Sequence, residues 1–597
     1  MSYLTGVDDA LSTYHLSLQA PFMHPEYYPL EQQLPADRYQ PVAAWYGRLI
    51  LPPGTERRTV RGVLFELYLT PDDQRELRGQ VVRLRWSLDP GVQARVYGTT
   101  RTVNLVPRAV QGAEEWRTFP IRVNHWRLVN GLESLAGSHQ IDDMQAYLIG
   151  DVQLAHDPDG TPCLYISRDP VLASGRYYGL VKFLAPANTA GDLWRVVHFN
   201  RETRHFDGAE ETVSLPPIQP MIHGVMLSST DKLNESPVNS EGWYIYGAQD
   251  HAGTFVVRAL APRALLRVQP QRVLLGEKTA RRFIRKELWN DAEQHKGQIQ
   301  SVLLSQAADE GTALQDWQVG DRALLIHVYG AIGGEMTEPP AKTPIYFGHF
   351  SYGVATIVQE PLADEPAFDI LYHQVYAHNG DGLVAANHAY QHYTGDRQRG
   401  WLGARPVADL LIRLDSLTTP FRVHHEAYDP LEQLSLAQEM MMARYRIGDG
   451  RGFTSVQLMN NCSQDANQAL YAAIHYVDQT LSDYPPFKEW LAAHPDEQTR
   501  FADLIQLGRD IRRVLLPFGV ARADWHDREE NLGSSQNLNP LIQIPSALLS
   551  WRAMMPPIAQ RAVTDVMIKH GAAVWVLRSD QVGGHDPRIA PRAPLHW

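Results

Sequence analysis

Two residues in this sequence have the types and settings that thiol chemistry needs. Cys462 stands in Asn461-Cys462-Ser463-Gln464-Asp465, at the start of a segment that continues through Ala469-Leu470-Tyr471-Ala472-Ala473-Ile474 with the look of a helix. His349 stands in Gly348-His349-Phe350-Ser351-Tyr352-Gly353-Val354-Ala355, which reads as a strand with a histidine at its mouth. A thiol is mostly protonated at neutral pH, and a helix N-terminus and a nearby imidazole both favour the reactive thiolate. Asn460 or Asn461 can cap the helix that Cys462 opens. Cys462 is therefore the candidate nucleophile and His349 the candidate base. Amides at the helix start would form an oxyanion hole, with Gln464 as a side-chain donor.

The elements that must position this pair lie between Gly320 and Leu470. Gly320-Asp321-Arg322-Ala323-Leu324-Leu325-Ile326 reads as a turn and a buried strand. The His349 strand follows, then Phe368-Asp369-Ile370-Leu371-Tyr372-His373-Gln374-Val375-Tyr376-Ala377-His378 returns after the turn-rich Pro361 to Pro366. A turn centred near Ala363 places His349 almost opposite His378, which would orient the imidazole from behind. Gln374 shares the face of His378 because strand side chains alternate, and His373 points the other way. His378 ranks first as the third member, with Gln374 and His373 behind it, and a slip of register would reorder them.

Other constellations are weaker. His388 and His392 have the i, i+4 spacing of a helical metal pair, but Ala389-Tyr390-Gln391 stands where a metalloprotease helix has its glutamate. Arg444 to Gly452 is glycine-rich without the Lys-Ser/Thr of a phosphate loop. No metal and no cofactor is expected. Cys163, in the middle of a strand-like run, reads as an apolar filler, and two cysteines so far apart exclude a disulfide framework. The net charge of -12 argues against nucleic acid, and Arg281-Arg282-Phe283-Ile284-Arg285-Lys286 reads as the solvated side of a helix. No apolar run is long enough for a transmembrane segment. The first residues have neither a basic start nor an apolar core, so a cytoplasmic location is expected.

With 597 residues, several cores are needed. The expected division is an N-terminal arm over 1–40, a small antiparallel β module over 41–110, a second β module over 111–215, a β pair plus helix over 216–300, a core domain over 301–516 with an insertion at 379–459, and a helical and loop segment over 517–597. The class is α+β, multidomain and β-rich.

The order of these motifs resembles the circularly permuted NlpC/P60 branch of papain-like enzymes. It runs from Gly320-Asp321 with its strand, through Gly348-His349-Phe350-Ser351-Tyr352-Gly353 and a polar residue on the next strand, to Asn461-Cys462. Over most of its length the chain also looks like large cyanobacterial proteins labelled Abi or CAAX-type proteases. The paired glutamates Glu114-Glu115, Glu210-Glu211 and Glu529-Glu530 lack the following arginine of those intramembrane enzymes. The NlpC/P60 resemblance implies N-terminal antiparallel β modules, then a permuted papain-like α+β domain with C-terminal helices. It implies Cys462 as nucleophile, His349 as base, His378 as third member, and Gln464 and Gln374 in support. The implied activity is a cysteine hydrolase or acyltransferase acting on a peptide or small amide or ester substrate. The other expectation is a non-catalytic scaffold that keeps the fold and binds a protein partner.

Overall fold

The computed structural model describes residues 28–50, 63–100, 144–218, 232–337, 348–379, 382–423, 425–447, 461–518, 548–582 and 586–594, with 521, 532 and 545 singly. Most of the expected N-terminal arm, residues 1–27, lies outside them. The elements that position the site are α1 (Glu277–Lys286), β1 (Arg322–Tyr329), β2 (His349–Glu360), β3 (Glu365–Asn379), β4 (Gly382–Ala389), β5 (Pro406–Arg413), α2 (Pro430–Ile447), α3 (Cys462–Ser482), α4 (Pro495–Leu515), α5 (Pro556–Lys569) and β6 (Ala573–Asp580). Helices take 31% and strands 36% of the described residues, so the class is mixed α+β with several sheets.

The β elements form the middle of a sheet of 15 described strands, in the order β6-β5-β1-β2-β3-β4, every neighbouring pair antiparallel. The strand Gln298–Ser305 continues it beyond β6, and Val171–Leu172 continues it beyond β4. The two N-terminal β blocks interleave in this sheet. Tyr46–Ile50 pairs with Met144–Tyr147, and Val81–Trp86 lies parallel to Pro162–Ile166. A second sheet of six described strands includes Tyr177–Pro186, Leu193–His198, Trp243–Gln249 and Phe255–Pro262.

Two central strands arise where the sequence pattern gave loops, helices or an insertion. β5, inside 379–459, separates β1 from β6, and β6 comes from the C-terminal segment. Both are short apolar runs, Leu410-Leu411-Ile412 and Val574-Trp575-Val576-Leu577, and periodicity alone does not tell such a run from a buried helical turn.

Both faces of the central sheet are covered, which is why β1 is apolar at nearly every position. Alternation sorts its residues. Leu324, Ile326 and Val328, with Phe350 and Tyr352 of β2, pack on Cys462, Ala466 and Leu470 of α3 and on the neighbouring helices. Ala323, Leu325 and Tyr329 pack with Phe183, Trp194 and Val257 of the second sheet. Full burial of each such aliphatic side chain contributes roughly 1.5–3 kcal/mol. A one-residue slip of β2 would exchange its two faces and forfeit both sets of contacts. Among the described residues, no helix is long and apolar enough to cross a membrane.

Candidate functional site

α3 begins as its sequence suggests. Asn461 is the N-cap in extended conformation, its Oδ1 accepting the Gln464 amide at 3.1 Å, and its Nδ2 donates to the Met554 carbonyl at 2.8 Å. Every residue from Cys462 to Ile474 is buried. The polar ones are tied locally: the Ser463 hydroxyl donates to the Ala553 carbonyl at 2.7 Å, and the Tyr352 hydroxyl donates to Asn467 Oδ1 at 2.7 Å. That last bond fixes Tyr352, and with it the even-numbered face at this end of β2, against α3.

Cys462 is 6% exposed. Burial pushes its thiol up to about 12, opposed by the backbone amides of Phe350, Ser463 and Cys462 itself and reinforced by the Asp465 carboxylate. About one thiol in 10⁵ is ionised at pH 7 with such a value. The helix start supplies amides to the sulfur, as expected, but desolvation outweighs them.

His349 follows Gly348, which sits at φ +74°, where a Cβ would lie 2.4 Å from the Tyr329 carbonyl oxygen. Glycine is required at that turn. Tyr329 is the cross-strand partner of His349, their ring centres 5.2 Å apart. His349 therefore points to the face of Tyr329 and His327, whereas Phe350, the next residue, points at α3. The Cys462 sulfur lies by the Phe350 amide and within electrostatic range of the Tyr393 hydroxyl, whose ring packs on His327 on the His349 side of the sheet.

The third member is Gln374. Its Oε1 lies 2.6 Å from His349 Nε2, and its Nε2 donates to Ser351 Oγ at 2.9 Å. An amide oxygen only accepts, so Nε2 of the neutral ring carries the proton and Nδ1 is its basic nitrogen. The expectation had put His378 first, and the end of the β2–β3 ladder explains the difference. Glu360 accepts the amides of Leu362 at 3.0 Å and Ala363 at 2.6 Å, and Asp364 takes a left-handed φ of 53°. The β2–β3 ladder then runs from Glu360↔Glu365 to Tyr352↔His373. This centres the turn between Leu362 and Ala363, and the ladder ends at Tyr352↔His373, so that Gln374, the next residue, reaches diagonally to His349. His378 pairs with Leu383 of β4 instead, and its side chain lies outside the described residues. His373, on the α2 side, is bonded to Asn387 Oδ1 at 2.7 Å and Ser435 Oγ at 3.0 Å, and burial lowers it to about 4. Gln464 is fully buried with neither amide atom hydrogen-bonded, so it is not arranged as a donor to a reacting oxygen at the surface.

A second imidazole went unnoticed in the sequence. His327 Nδ1 lies 2.6 Å from Asp409 Oδ1, and the Tyr372 hydroxyl donates to Asp409 Oδ2 at 2.7 Å while accepting from Thr394 at 3.2 Å. His327 is fully buried, and its Nε2 has no partner among the described residues. Its ring lies 6.3 Å from that of His349. The available signal was a histidine inside an apolar strand, Leu325-Ile326-His327-Val328, and an aspartate inside another, Ala408-Asp409-Leu410. Buried groups of this kind require partners.

His388 and His392 do not share a helix. His388 ends β4, His392 lies in the short helix Tyr390–Tyr393, and their rings are 5.2 Å apart. Burial holds His388 well below the usual imidazole range. Among the described residues, no group of three or more His, Cys, Asp or Glu is placed to hold a metal ion. Cys163 is fully buried in Pro162–Ile166, as its strand setting suggested. No protein-family model, no curated protein and no solved structure matches this chain.

Proposed function

We propose that the chain acts as a non-catalytic binding or assembly protein in which the thiol and imidazole segments of a papain-like arrangement serve as core. The observation that carries this reading is the burial of the Cys462 thiol, which holds it far from the range of a reactive thiolate. Cys462 is buried against α3 and Phe350 with its thiol raised, and His349 faces the second sheet and is held by Gln374. The test is thiol reactivity in the native chain. A solvent-exposed thiol near 8.5 is about one-tenth ionised at pH 7.5, so iodoacetamide is expected to modify Cys462 at least about 1,000-fold more slowly than it modifies such a thiol. Stoichiometric modification of native Cys462 within minutes would overturn the proposal.

A second reading is a cysteine hydrolase or acyltransferase for a peptide or other amide or ester bond, through a Cys462 thiolate activated by His349. The hydrogen bond from His349 Nε2 to the Gln374 carbonyl favours it, because that is how a base imidazole is oriented from behind. So does the proximity of the Cys462 sulfur to the Phe350 amide, one residue from the ring. On this reading, an activity-based acyl probe labels the wild type but neither Cys462→Ala nor His349→Gln. Equal labelling of all three would exclude it.

A further inference from the structure

The basic run of α1, which reads from sequence as a solvated face, forms one side of a groove with α5. The groove has a volume of about 330 Å3, and its walls carry Arg285, Arg552, Arg561 and Lys569 around the apolar surfaces of Trp551 and Ile558. This concentration of positive charge occurs on a chain of net charge -12. The acid in the wall, Asp565, is already engaged by Arg281 and Arg285. Among the described residues, no carboxylate pairs with Arg552 or Lys569.

A narrower crevice continues from the groove past Arg285, Ile558 and Arg561, with a volume of about 10 Å3. That is room for about one oxygen atom, the size of a water. Trp289 and Gln560 line it, 5% and 1% exposed, and among the described residues the buried Trp289 Nε1 and Gln560 Nε2 have no hydrogen-bond partner. Both are donors. A buried donor left unmet is costly, and an oxyanion would meet it. The rest of the groove wall is apolar: Trp551, 44% exposed, stands with Val514, Ile558, Ala562 and Val566.

We propose that this groove binds an amphiphilic anion, a carboxylate or phosphate head on a single aliphatic chain. One oxygen of the head enters the crevice between Trp289 and Gln560, the cationic walls balance the remaining charge, and the chain lies along Trp551. A groove of this volume fits one chain and is too small to engage the plane of a bilayer. The proposal does not rest on Cys462 or His349 and stands or falls apart from the reading of that pair.

Titration calorimetry of the full chain with octyl phosphate, inorganic phosphate and 1-octanol tests it. Octyl phosphate is expected to saturate one site, bound at least about tenfold more tightly than either fragment, because only it supplies both charge and apolar surface. Arg561→Gln with Lys569→Gln should weaken it about tenfold or more, and Trp551→Ala should weaken octyl phosphate while leaving inorganic phosphate unchanged. All three positions are at least partly exposed, and far-UV circular dichroism checks each variant; Trp551→Ala alone decides the question if the double variant fails to fold. Three results would overturn the proposal: no saturable heat up to millimolar octyl phosphate, equal affinity in wild type and variants, or, in a parallel titration with phosphatidylglycerol vesicles, tight binding to the vesicles alone.

Discussion

Replacing Tyr372 with phenylalanine tests whether the buried chain His327–Asp409–Tyr372–Thr394 holds β1, β3 and β5 together. The ring is fully buried and is retained, so no cavity forms and the change isolates the hydroxyl. That hydroxyl donates to Asp409 Oδ2 at 2.7 Å and accepts from Thr394 at 3.2 Å. A hydrogen bond to a charged acceptor contributes about 1.5–3 kcal/mol net, and a neutral one about 1 kcal/mol. The expected loss is about 3 kcal/mol. In an Asp409→Asn background both bonds are neutral, and the same change should cost about 2 kcal/mol, a coupling of roughly 1 kcal/mol between the two positions. A chain with several cores need not unfold in one step, so the assay is local: hydrogen exchange of peptides covering Arg322–Tyr329 and Pro406–Arg413. A loss of 3 kcal/mol would speed exchange there on the order of 100-fold. Acceleration below about threefold, or equal acceleration in both backgrounds, would refute the account of the network.

The remaining predictions concern the same core. His373 takes up a proton only near pH 4 in the folded chain, against about 6.5 when unfolded, so unfolding binds a proton between these values and stability falls as pH falls from 6.5 to 4. The part due to this ring is about 3 kcal/mol, and urea midpoints of His373→Gln should show a correspondingly shallower loss; identical pH profiles would contradict it. Arg168 binds Glu439 Oε1 at 2.7 Å through Nη2 and Glu432 at 2.6 Å, joining the N-terminal β strands to α2. Arg168→Leu strands the buried Glu439 carboxylate, and thermal unfolding should register a loss of about 3–5 kcal/mol, which Glu439→Gln in the same chain should partly restore. Asn461→Ala removes the cap of α3 and should cost about 1–2 kcal/mol, seen as faster hydrogen exchange in the first turn of α3 and not in its last.

Much of the local structure could be read directly from residues. Asn461 before Cys462 announced the start of α3 because a cap needs only a side chain three residues from the amide that it accepts. The apolar run after Gly320 announced a strand covered on both faces, and the setting of Cys163 announced a filler, since burial leaves its mark on each residue separately. The candidate site depended on relations that no single segment contains. The partner of His349 depended on where the β2–β3 ladder ends, at Tyr352↔His373, beyond which Gln374 reaches the ring while His378 pairs with β4. His327 and Asp409, 82 positions apart, became neighbours only when β5 was inserted beside β1. The composition of β2 was compatible with His349 facing either the helices or the second sheet. Packing decided it, because Phe350 and Tyr352 fill the α3 side and alternation leaves the imidazole no other face.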